Sequence, residues 1–286
     1  IYVICYRKDL LDSIGIDETH AFGTPDAFTA TLKRLQSSSL EIPWLNPYIP
    51  PPYTDLLHMA SSWVWANGGQ LIADDGKKAL FAEPPAIRGL TQWLESHRAV
   101  AQAWQQLGTG ECVTLFAEGR AAAVQTDIRT ADSFIAGQAS EVVRQNLGVA
   151  TVTQTPWCGG GSFVIWQHIQ GMTERERLAV ELVKFLTSAE NETRWAREVQ
   201  SMPAHREALA AIYTDDHPLK SAVEQASLHG HTYPTVSLWR RLEHQMAQAL
   251  GALVNEAFDN PAVDSEILIR QRMEPLAERI NLMFGN

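Results

Sequence analysis

Apolar positions recur along the chain at two spacings, adjacent in short runs and three to four apart in longer ones. Ile1-Tyr2-Val3-Ile4-Cys5-Tyr6 is apolar throughout, the pattern of a strand buried on both faces. A short helix follows and ends at Gly15. Thr24-Pro25-Asp26 sets an N-cap ahead of a proline at the first helical position, which opens a helix through about Leu35. Ser37 to Pro52 is a Ser- and Pro-rich loop. Asp55 to Ala66 forms a long apolar helix, stopped by Asn67-Gly68-Gly69 with Asn67 as its cap. Asp74-Asp75-Gly76 marks a turn before a short strand, Lys77 to Phe81, and Pro84 to about Leu107 carries one or two helices. Arg120 to Val124 reads as a strand of small residues, and Gly148 to Thr153 is the cleanest strand signal.

Gly159 to Ala204 is the most patterned stretch: a Gly-rich turn, a short apolar strand and two helices in succession. Thr173 with Glu176, and Thr187 with Glu190, have the spacing of reciprocal capping boxes. Leu178, Leu182, Phe185 and Leu186 make one apolar helix face, and Trp195 and Val199 form the buried side of the second helix. The remainder is helical. Leu238, Leu242, Met246, Leu250 and Val254 repeat every fourth residue, and Asp264 to Met283 forms a last amphipathic helix. Strands alternating with helices predict a mostly parallel α/β sheet.

The wording of one segment, VKFLTSAENETRWAREVQSMPAHREAL, closely resembles solute-binding proteins of ABC importers, in the carbohydrate-binding group that includes maltose-binding protein. YRKDLLDSIGID, WVWANGGQLIADDGKKALF and FAEGRAAAV agree with the same family in the same order. The resemblance implies a periplasmic-binding-protein-like α/β fold of the two-lobed, type II kind. On that map 1–155 and 205–286 build the C-terminal lobe, and 157–203 makes an excursion into an incomplete N-terminal lobe. It also implies that roughly a hundred residues, with any targeting segment, are missing ahead of Ile1. The excursion would then leave apolar faces uncovered, so it is expected to be disordered, repacked, or covered by a second copy in a homodimer. The implied location is extracytoplasmic, in the periplasm or lipid-anchored at the outer face of the cell membrane.

Charge and composition narrow the partners. A formal net charge of -10 argues against nucleic acid and anionic membrane surfaces, which both need a basic patch. Hydrophobic residues at 45% allow a well-buried core, and no apolar run approaches the roughly 20 residues that cross a bilayer. Cys5, Cys112 and Cys158 lie far apart with neither metal nor disulfide spacing, and His229 with His231 lacks a third ligand at a recognisable offset. There is no P-loop, no dinucleotide-binding glycine motif and no G-x-S-x-G elbow, so no cofactor is expected.

A sugar is held by flat aromatic faces against its C–H surfaces and by polar groups on its hydroxyls. Where the resembled family crosses between lobes stands Trp157, followed by Gly159 and Gly160, which either admit a ligand to the backbone or serve as a hinge. Tyr233 precedes Trp239, at the place of a stacking aromatic in the family; packing within the core is the other reading. Asp127 and Arg129 stand where the family has a glycine and a tryptophan, which suggests a charged contact in place of stacking, or a surface ion pair. His58 falls near a sugar-contacting region, or is a satisfied core histidine. The resemblance therefore implies a non-enzymatic substrate-binding component that closes over a carbohydrate or polyol and delivers it to ABC importer membrane subunits. A sensing or interaction module of the same fold, and a sugar-active enzyme, are the alternatives.

Overall fold

A computed structural model describes residues 1–236 and 239–284. Its sheet has three strands: β1 (Tyr2–Arg7), β2 (Ala123–Asp127) and β3 (Leu147–Thr151). The apolar opening run is the central strand, in the order β2-β1-β3. Both pairings are antiparallel, with Tyr2 opposite Asp127 and Val3 opposite Thr151. This corrects the expected parallel sheet. Alternation of strands and helices does not encode the direction in which a connection more than a hundred residues long returns. Among the described residues, parallel pairing is confined to isolated bridges, including Ile42 to Ala121 and Leu45 to Val124 along the β2 edge. The small-residue strand also starts later than its composition suggested, because Arg120 to Ala122 precede the ladder. Lys77 to Phe81 contributes one antiparallel bridge, Ala79 to Ile72, and no strand.

Alternation along β1 divides the core. Ile4 and Tyr6 face one cluster while Val3 and Cys5 face another, so apolar side chains cover both faces of the sheet. After α1 (Lys8–Ser13) and α2 (Glu18–Ala21), the first cluster is built by α3 (Pro25–Gln36), α4 (Thr54–Ala66) and α5 (Pro84–Arg98). Thr24 caps α3 as the sequence predicts, its side chain accepting from the Ala27 amide at 3.1 Å. Where α4 and α5 cross, a Cβ at Gly89 would lie 2.5 Å from the Trp63 carbonyl oxygen, so only glycine lets the backbones approach this closely.

The second cluster holds α6 (Thr109–Ala117), α7 (Ile128–Ser133) and α8 (Glu141–Asn146), short helices with no clear sequence signal. Next come α9 (Thr173–Leu186), α10 (Ala189–Val199), α11 (Arg206–Ile212) and α12 (Lys220–His229). The last two, α13 (Trp239–Asp259) and α14 (Ser265–Phe284), return to the first cluster. Leu242, Met246, Leu250 and Val254 are buried in the predicted register, whereas Leu238 lies outside the described residues.

The 159–204 stretch departs most from its sequence reading. Residues 163–166 enter no ladder or bridge among the described residues, so the expected strand is not formed. The cap of α9 is Met172 and that of α10 is Ser188. Of the two capping boxes, what remains is Glu176 accepting from the Gly171 amide and Ser188 accepting from the Asn191 amide. Trp195 is 67% exposed rather than buried, and α9 buries none of its residues.

Candidate functional site

One face of α4 organises the site. His58, Ser61, Ser62 and Trp65 follow i, i+3, i+4, i+7 spacing on a helix that is otherwise apolar after Thr54 and Asp55. Ser61 and Ser62 are buried, and each connects the helix to a distant segment. The Ser62 hydroxyl accepts from the Trp157 amide at 2.8 Å, and its carbonyl accepts from the Thr153 hydroxyl at 3.2 Å. The Tyr233 hydroxyl lies 2.8 Å from His58 Nδ1 and 3.2 Å from Ser61 Oγ. A parallel bridge ties Trp157 to His231, with the Cys158 amide donating to the His231 carbonyl and the His231 amide to the Pro156 carbonyl. Helix α4, the segment 156–158 and the loop before α13 are thereby locked together.

Their aromatic rings form one continuous cluster. Trp157 stacks on His58 with centroids 3.9 Å apart, and Tyr233 stacks on Trp239 at 4.2 Å. Trp65 stacks on His231 at 5.3 Å, and Tyr2 leans against Trp157 at 6.0 Å. Gly159 is required beside this stack, since a Cβ there would sit 2.1 Å from the Trp157 ring. Gly160 has open space around it. The Trp157 Nε1 is buried and has no hydrogen-bond partner among the described residues.

Burial sets the protonation of the cluster. It lowers the His58 pKa to about 4, so the ring is neutral at neutral pH. The hydroxyl of Tyr233 is pushed well above its ordinary value, first by burial. Tyr2 is raised likewise, with the Asp55 and Asp127 carboxylates adding to the desolvation.

The structure thus brings together Trp157, Gly159, His58, Tyr233 and Trp239 from the sequence-derived set. Asp127 stands at the margin, where its carboxylate caps α7 by accepting from the Thr130 amide and hydroxyl. Arg129 is an exposed side chain on α7. Sequence reasoning missed Tyr2, Ser61, Ser62, Trp65 and His231. His58, Ser61 and Ser62 share one face of a largely apolar helix, a pattern whose meaning depends on partners far away in sequence.

The family model for bacterial extracellular solute-binding protein matches residues 1–222. The chain belongs to that family. A search of the curated proteins finds no match. Among solved structures, maltose-bound MalE3 of T. maritima is similar with a TM-score of 0.67 and 19% identity, over 99% of this chain and 70% of that one. The sugar-binding protein MalE of Xanthomonas citri gives 0.72 and 16%, over 99% and 68%. UgpB of Mycobacterium tuberculosis, in complex with glycerophosphocholine, gives 0.65 and 15%, over 98% and 68%. These likenesses establish a periplasmic-binding-protein-like α/β fold, of which this solute-binding chain spans about 70%. The family consists of binding proteins and works outside the cytoplasm. Among the described residues no helix is long and apolar enough to cross a membrane, and no three metal-ligating side chains converge.

Proposed function

We propose that this solute-binding protein takes a carbohydrate or related polyol at the aromatic cluster and passes it to the membrane subunits of an ABC importer. The observation that carries the reading is the ring cluster on the crossing segment, with stacked pairs His58–Trp157 and Tyr233–Trp239 joined through the Tyr233 hydroxyl. Aromatic faces match the C–H faces of a sugar ring, and neutral donors such as the buried Trp157 indole match its hydroxyls. Gly159 and Gly160 leave backbone amides approachable beside them. Asp127 and Arg129 belong at the rim, as secondary polar contacts at most.

In this reading 1–155 and 205–286 form one lobe, and 157–203 belongs to the opposing wall of the cleft. Support comes from the continuous packing of the first set and from the second's burying only Ala196 and Pro203. Ligand touching both walls would favour a closed form.

Thermal unfolding against mono- and oligosaccharides and polyol phosphates tests the proposal, because a ligand that binds the folded state raises the midpoint by mass action. Trp157→Ala is expected to weaken the responding ligand at least about tenfold, which corresponds to ~1.4 kcal/mol. A midpoint indifferent to the whole panel would favour a sensing or interaction module.

A further inference from the structure

Among the described residues, Tyr53 and Gln200 are the non-glycines with a left-handed backbone. Gln200 closes α10, where that conformation is common. Tyr53, at φ 64° and ψ 12°, stands at the cap position in front of α4, where an extended residue is the rule. A left-handed tyrosine persists there only if its surroundings over-determine it.

Those surroundings are α13. A Cβ at Gly251 would lie 2.5 Å from the Tyr53 ring, so the ring rests directly on the α13 backbone where glycine leaves room. Gln248 of α13 donates to the Pro52 carbonyl at 3.4 Å, and the Tyr48 side chain lies within reach of both Tyr53 and Asn255 of α13. The Tyr53 amide donates to the Pro50 carbonyl at 3.2 Å, and its carbonyl accepts from the Leu56 amide at 3.0 Å. The clamped turn thus runs straight into the helix.

The aromatic cluster joins the same two helices at a second place. By helix rise, Ser61 lies about 12 Å along α4 from Tyr53, and Trp239 about 18 Å back along α13 from Gly251. There the Tyr233 hydroxyl reaches His58 and Ser61 while the Tyr233 ring stacks on Trp239. Helices pinned at two separated points hold one register. With one pin removed, non-directional apolar packing is left to resist a shift.

We propose that Tyr53 is a positioning residue for the aromatic site: its ring on Gly251 fixes α4 against α13 and so keeps His58 and Ser61 within reach of the Tyr233 hydroxyl. The consequence for solute affinity rests on the reading that this cluster binds the solute; the consequence for His58 does not.

NMR titration of His58 in the full chain, its signal identified by loss in His58→Gln, tests the positioning without any ligand. Burial holds this ring at about 4, with the Asp55 carboxylate opposing. Tyr53→Gly keeps the left-handed backbone and deletes the ring, and Gly251→Ala pushes a methyl group under it. Each is expected to move the His58 titration up by at least about one pH unit, a tenfold change in proton affinity. Tyr53→Phe retains the ring and should keep the parent value. Phe116→Leu, a core substitution in the second cluster, should lower stability and keep it too. A solute that raises the parent's unfolding midpoint should bind Tyr53→Gly at least about tenfold more weakly, and Tyr53→Phe as it binds the parent. An unmoved His58 titration in both folded variants would overturn the inference, as would an equal movement in Phe116→Leu or a Tyr53→Phe that behaves like Tyr53→Gly. So would a solute held as tightly by Tyr53→Gly as by the parent. If Tyr53→Gly or Gly251→Ala does not fold, the other decides. If no solute in the panel binds the parent, the proposed function fails, and the His58 titration still decides the role of Tyr53.

Discussion

His97 is completely enclosed against Trp93, and neither ring nitrogen finds a hydrogen-bond partner among the described residues. Burial alone lowers its pKa to about 3, while an unfolded histidine titrates near 6.5. Between those values the unfolded chain takes up a proton that the folded one refuses, so stability rises with pH from about 3 to 6.5 and is level above. His58 acts in the same direction from about 4, more weakly because solvent reaches it. Urea unfolding is expected to lose on the order of 3 kcal/mol between pH 6.5 and 4 through His97, and His97→Leu should remove that slope. The site residues teach a related lesson about legibility. Trp157, Tyr233 and Trp239 could be singled out because they stand at places where the resembled family puts ligand-lining aromatics. Ser61 and Ser62 could not, because small hydroxyls inside an apolar helix matter only once their partners at Tyr233 and Trp157 are known.

Helices were legible where local chemistry fixes their ends. Thr24-Pro25 opens α3, and Asn67 closes α4 with its side chain donating to the Trp63 carbonyl at 3.0 Å. Strand direction was not legible, since the antiparallel pairing of β1 is decided by contacts far away in sequence. The α10 cap fell one residue beyond Thr187, at the adjacent Ser188, whereas α9 begins at Thr173 itself, with Met172 at the cap position and no side-chain cap bond. The α4–α5 crossing has a sharper consequence. At Gly89 even a methyl group collides with backbone at 2.5 Å, and backbone cannot rotate aside as a side chain can. Gly89→Ala is therefore expected to destabilise by roughly 1–3 kcal/mol in chemical denaturation, despite the better helix propensity of alanine. An unchanged midpoint would mean that the two helices can separate freely.

Across the whole molecule, acidity and the apolar face oppose one another. Away from its isoelectric point of about 5.4, net charge holds copies apart. Near pH 5.4 that restraint vanishes while the exposed 163–195 surface remains. Static light scattering should therefore show a maximum of non-specific aggregation near that pH, reduced in Phe185→Asp. If aggregation were the same at pH 8, charge would not be the restraining force.

The central position of β1 has a kinetic consequence. Its neighbours in the sheet, β2 and β3, lie more than a hundred residues downstream, so a ribosome must complete much of the chain before either edge of β1 can be satisfied. Until then a strand that is apolar except for Arg7 waits unpaired, and closing so long a loop must precede any return from the contacts it makes. Slow, chaperone-sensitive folding is thus written into the order of the strands rather than into the strength of any one interaction.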